Sequence, residues 1–124
     1  KWDTSNVTDM SEMFNNSVFN GDLSKWNVSS VENMTSMFQD SQFNGDLSKW
    51  DVSSVVSMFY MFEHSQFDND VSQWDVSNVK DMTCMFFRSK FSGNVSTWNT
   101  SKVERMDYMF METPQEGMEP SWYR

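Results

Sequence analysis

Apolar positions along this chain recur with a fixed spacing of 24. Trp falls at 2, 26, 50, 74, 98 and 122, and Val at 7, 31, 55, 79 and 103. A Met pair follows at 10 and 13, 34 and 37, 58 and 61, 82 and 85, and 106 and 109, each with Phe directly after it. A second Phe stands at 19, 43, 67 and 91, and the eight residues FNGDLSKW occur unchanged at 19–26 and 43–50. Polar Ser, Asn, Asp and Thr fill the gaps. The unit reads W-[DN]-[VT]-S-x-V-x-x-M-x-x-M-F-x-x-S-x-F-[NDS]-x-[DN]-[LV]-S-x, five times over. Self-similarity at such a period marks units that cannot bury their apolar face alone and stack on one another to do so.

Two local periodicities alternate within each unit. In LSKWNV (23–28), Trp26 and Val28 lie two apart and share one face of a short parallel strand. In VENMTSMF the spacing Val31, Met34, Met37, Phe38 follows one side of a short helix or 3₁₀ segment. Ser29 with Glu32, and Ser101 with Glu104, have the spacing of a capping box. Gly21, Gly45, Gly93 and Asn69 share one column, which predicts a turn residue with positive φ. The expected fold is therefore an α/β repeat solenoid, leucine-rich-repeat-like. It has five 24-residue units over residues 1–110, starting at Trp2, Trp26, Trp50, Trp74 and Trp98. Pro114, Gly117 and Pro120 break the pattern, so 111–124 reads as an irregular C-terminal cap.

Composition sharpens this picture. There are 12 Met, 11 Phe and 6 Trp and no Ala or Ile, a narrow apolar alphabet that suits a repeated template. Met fills gaps in an irregular interior. The net charge of −9 disfavours phosphate backbones and anionic membranes as partners. A basic protein, a cation or a neutral glycan fits it better. Cys84 is the only cysteine, so no internal disulfide forms. No secretory or membrane-spanning segment is present in the sequence. The chain enters in phase with the repeat at Lys1, as a mature product or a fragment of something longer would.

The strand wording L-x-x-W-x-V and the M-x-x-M-F segment, best seen in WDTSNVTDMSEMF (2–14) and WDVSNVKDMTCMF (74–86), resemble the BspA-like leucine-rich-repeat proteins. More narrowly, they resemble the branch with W-D-V-S-N-V-x-x-M-x-x-M-F units, over residues 2–110. That resemblance implies a surface or secreted protein engaged in adhesion or in binding host proteins.

Candidate chemistry is sparse. The exposed strand face carries Lys25, Lys49 and Gln73 in one column and Asn27, Asp51, Asp75 and Asn99 in another. Such a ladder serves either as a partner surface or only as solvated side chains, with the Ser column capping the next segment. Asp22, Asp46, Asp70 and Asn94 line a turn column with enough oxygens to suggest calcium, but Asp and Asn belong in turns for local reasons too. The lone His64 and Cys84 lack the neighbours a nucleophilic site needs. Sequons at Asn6, Asn15, Asn27, Asn33, Asn94 and Asn99 follow largely from the repeat wording. The expectation is a module without enzyme activity, cofactor or metal, binding a protein or glycan partner outside the cell, with no nucleic acid and no membrane insertion. The alternative is a structural subunit of a larger assembly or filament, whose solenoid ends are interfaces for neighbouring subunits.

Overall fold

The computed structural model describes residues 2–124. Successive units lie on top of one another in parallel, tied by the bridges Asp9–Asn33, Asn33–Ser57, Ser57–Asp81 and Asp81–Arg105. The expected α/β architecture is not what forms. Among the described residues there is no helix and no strand longer than these isolated bridges.

Turns replace the helix. The Val31–Phe38 segment opens with Met37 N donating to Met34 O (3.2 Å), and Ser41 N donates to Phe38 O (3.2 Å). The third residue of each turn, Ser36 (φ 56°) and Asp40 (φ 55°), is left-handed, the signature of type II turns. The same two columns are left-handed in every unit, through Glu12, Tyr60, Cys84 and Tyr108, and through Asn16, His64, Arg88 and Glu112. A left-handed residue every four positions ends any helix. The i, i+3 spacing of the Met pair serves a chain of β-turns as well as a helical face, which is why periodicity alone misleads here.

Those turns pair with the next layer through alternate amides. Met34, Ser36, Phe38 and Asp40 donate to the carbonyls of Ser57, Phe59, Met61 and Glu63 at 2.8–3.0 Å. Val56 N and Gln66 N return bonds to Glu32 O and Ser41 O. The parallel bonding thus runs through the segment expected to be helical, not through Trp-x-Val.

The expected strand is broken by its own polar residues. Trp26 N donates to Leu23 O and Val31 N to Val28 O, closing a turn on each side. Between them Asn27 Oδ1 accepts from Ser29 N (3.0 Å) and Ser29 Oγ (2.7 Å). Ser29 therefore caps no helix. The wording [DN]-x-[ST] stands in three columns of the first, second and fourth units, and each of these copies closes an Asx turn. Asp22 with Ser24, Asn27 with Ser29 and Asn33 with Thr35 form one set.

The glycine column also has a different cause. Gly21, Gly45 and Gly93 are not left-handed; Gly117 is the one glycine that is. A Cβ built at Gly45 would stand 2.8 Å from Phe43 Cζ, and the equivalents at Gly21 and Gly93 would meet Phe19 and Phe91 at 2.7 Å. The ring end folds over the glycine, so an added Cβ makes the ring shift; Asn69, which is not left-handed either, fills the column beside Phe67 in the third unit. The Phe amide is meanwhile held by the S-x-F wording, as Phe43 N donates to Ser41 Oγ (3.0 Å).

The core is a set of aromatic columns. Phe38, Phe62 and Phe86 stack with centroids 5.5 and 5.7 Å apart, beside Phe43, Phe67 and Phe91 at 6.4 and 6.3 Å. Met34, Met37, Met58, Met61, Met82 and Met85 are fully buried among them. At roughly 1.5–3 kcal/mol per buried large side chain, each layer gains most of its stability from contacts it shares with its neighbours.

Candidate interaction surface

All seven side chains of the proposed ladder are exposed: Lys25, Lys49 and Gln73, with Asn27, Asp51, Asp75 and Asn99 two residues on. They lie on successive layers along one edge. The two columns differ in character. Asp51 Oδ1 and Asp75 Oδ1 each accept from a serine amide (3.0 Å) and its hydroxyl (2.6 Å), Ser53 and Ser77 respectively. Asn99 Oδ1 accepts from Ser101 N (3.1 Å). Asn27, Asp51, Asp75 and Asn99 thus shape the backbone as well as face solvent. Among the described residues, Lys25, Lys49 and Gln73 enter no side-chain hydrogen bond or ion pair, so they are free to meet a partner.

The turns also set the electrostatics. The Ser77 hydroxyl, and then its amide, holds the Asp75 carboxyl below its ordinary range, and Ser5 does the same for Asp3. The Ser24 and Ser48 hydroxyls lead in lowering Asp22 and Asp46, while for Asp70 the Ser72 amide leads. Hydrogen bonds to the ionised form favour it. These three carboxylates spend an oxygen on their own turns, with Oδ1 to amide distances of 2.8 Å. Among the described residues, no group of three or more His, Cys, Asp or Glu is arranged to hold a metal ion.

The two lone chemical residues sit in the left-handed columns. His64 Nδ1 lies 2.5 Å from Asp40 Oδ1 on the layer below, and both are exposed. Cys84 is buried, and that burial pushes its thiol pKa up while the Tyr60 hydroxyl works against the rise. A thiol so placed is a poor nucleophile.

An apolar patch on the turn face has no counterpart in the 24-residue consensus. Val56, Phe59 and Tyr108 are 40%, 36% and 59% exposed, and the Phe59 and Tyr60 rings lie 4.4 Å apart. Aligning the copies reveals the signal. Val56 stands where the other units have Thr8, Glu32, Lys80 and Glu104, and Phe59 where they have Ser11, Thr35, Thr83 and Asp107.

The two ends of the stack differ. At the C-terminal end Trp122 stacks on Trp98 (6.3 Å), and Tyr123 meets Phe110 edge-on (5.2 Å). Arg124 Nη2 donates to Val103 O (2.8 Å), and Glu116 Oε1 accepts from Glu112 N (3.1 Å). At the other end Trp2 is 74% exposed and Val18 87%. A cleft of about 530 Å³ opens there between Trp2, Phe19, Leu23 and Trp26, with Asp22 and Lys25 at its lip.

Residues 1–89 and 63–116 match the family described as "Mycoplasma protein of unknown function, DUF285". The chain belongs to this family. The family is associated with BspA-like surface repeat proteins. No curated protein and no solved structure matches the chain.

Proposed function

We propose that this chain is a non-enzymatic repeat module of a surface or secreted protein, of the BspA-like leucine-rich-repeat branch, that binds another macromolecule through its exposed ladder. One observation carries the reading: Lys25, Lys49 and Gln73 are exposed on successive layers without an intramolecular partner among the described residues. Regularly spaced free donors on a preformed stack suit an extended protein or glycan partner, since little ordering entropy opposes contact. The family membership and the W-D-V-S-N-V wording support the surface location.

The test is adhesion of the chain to an array of host matrix proteins and neutral glycans, repeated with Lys25→Ser, Lys49→Ser and Gln73→Ser combined. Retention lost at least about ten-fold in the triple variant, corresponding to roughly 1.4 kcal/mol, supports the ladder. Equal retention, with the fold intact, removes it. The second reading, a structural subunit joined through an end of the stack, is favoured by the exposed Trp2 and Val18.

A further inference from the structure

Four consecutive layer interfaces repeat the same bonds, except that Pro114 has no amide to return to Ser89 in the fourth. Besides the alternating amides, an indole marks each step: Trp50, Trp74, Trp98 and Trp122 Nε1 donate to the carbonyls of Leu23, Leu47, Val71 and Val95, each 27 residues earlier, at 2.9–3.0 Å. Toward Trp2 the stack presents the complementary half of this set. The carbonyls of Asp9, Ser11, Met13 and Asn15 stand where Asn33, Thr35, Met37 and Gln39 accept from the layer below, and they have no partner among the described residues. The amides of Thr8, Asp9 and Val18 stand where Glu32, Asn33 and Gln42 donate downward, and they are equally unpaired there. Trp26 Nε1 donates to nothing among the described residues and opens on the cleft.

The geometry points to this face as a docking site for one further 24-residue layer of the same pattern. The inference deepens the second reading above and does not depend on the ladder. Continuity with the established interfaces specifies the occupant. It must offer four amide donors, two carbonyl acceptors and a Leu or Val carbonyl for Trp26, and it must cover Trp2, Phe19 and Trp26. An unrelated apolar surface satisfies the rings but leaves the edge groups without partners, which is costly once they are dry. A second copy of these residues cannot supply the layer head-to-tail, because Trp122 and Tyr123 cover the face that would mate.

The experiment joins a copy of residues 25–48 directly before Lys1, which places a copy of Leu47 27 positions ahead of Trp26. A control carries the same 24 residues circularly shifted by two positions. Amide exchange is followed at Thr8, Asp9 and Val18, with sedimentation of both proteins and of the parent. The in-phase fusion should slow these amides by at least about ten-fold, unfold in a single transition and remain monomeric. Equal protection by the shifted control would show nonspecific apolar cover and overturn the inference. So would an added layer that melts separately and leaves the amides unprotected, or a parent that already protects them by forming a head-to-head dimer. None of these outcomes touches adhesion through Lys49 and Gln73, which lie outside this cleft, so the two readings fail separately.

Discussion

The indole nitrogen of Trp74 donates to the main-chain carbonyl of Leu47 at 2.9 Å, in a site where Trp74 is 4% exposed. The ring also stacks on Trp50 with centroids 6.5 Å apart. The column needs both an aromatic face and a donor, which restricts it to Trp. Trp74→Phe keeps the apolar body and removes one of the two donors to the Leu47 carbonyl, which still accepts from Trp50 N at 3.1 Å. The lost hydrogen bond costs about 0.5–1.5 kcal/mol, and the lost ring volume adds to it. Urea titration should show the midpoint falling with m unchanged. A variant as stable as the parent would mean that the bond contributes nothing.

Phe62 is fully buried between Phe38 and Phe86, whereas Phe14 is half-buried with Phe38 on one side. Phe62→Ala should therefore cost about 3–5 kcal/mol, and Phe14→Ala clearly less. Because each unit packs only on its neighbours, the Phe14 variant should also loosen the first layer before the rest. Residue-resolved amide exchange separates local from global loss. Equal costs would mean that the end layer is as tightly held as the middle.

The stacking and the core columns were legible because a 24-residue spacing of Trp, Val, Met and Phe has few physical solutions. The local elements were not. Met34 and Met37 at i, i+3 look alike in a helix and in a type II turn, and only the left-handed Ser36 tells them apart. Its column holds Glu12, Tyr60, Cys84 and Tyr108 elsewhere, residue types that advertise no positive φ. The Asx turns, by contrast, were written openly in the [DN]-x-[ST] wording, which was read as sequons and capping serines. The ladder residues Lys25 and Lys49 were legible as outward-facing, but the Phe59 patch required comparing each unit with its siblings.

Glu12 is exposed and left-handed (φ 59°), and its carboxylate makes no hydrogen bond among the described residues. A left-handed L-residue costs about 1–2 kcal/mol, part of which glycine gives back through its looser unfolded chain. Glu12→Gly should therefore stabilise by roughly 0.5 kcal/mol, while the β-branched Glu12→Val should destabilise. Thermal midpoints of the pair decide it. The opposite order would mean that this turn does not populate positive φ.

Gly45 lies under the Phe43 ring, so Gly45→Ala forces the ring aside and should cost about 1–3 kcal/mol. The sequence-based alternative, a left-handed glycine, predicts that Asn there is well tolerated. Steric exclusion predicts that Ala and Asn both displace the ring, with Asn recovering part of the cost through interlayer bonds such as those Asn69 makes to Asn44. A double-mutant cycle with Phe43→Leu isolates the ring contact. If the two substitutions are additive, the ring is not the reason for the glycine.

Acid should weaken the stack through its turns. Asp3, Asp9, Asp22, Asp46, Asp70 and Asp75 all have folded-state pKa values below the ordinary carboxylate value, through serine hydroxyls and amides. In the unfolded chain they titrate near about 3.9. As pH falls through that value the unfolded state takes up protons first, so the stability these groups supply is complete above about pH 5 and is lost as pH drops through their lowered folded values. Asn keeps the Oδ1 acceptor without the titration, and Asn27 and Asn94 already hold Asx turns in two of these columns. The combined variant Asp22→Asn, Asp46→Asn, Asp75→Asn should therefore fold at neutral pH and show a shallower fall in denaturation midpoint between about pH 5 and pH 3. Parallel acid limbs for parent and variant would move the pH dependence to other carboxylates.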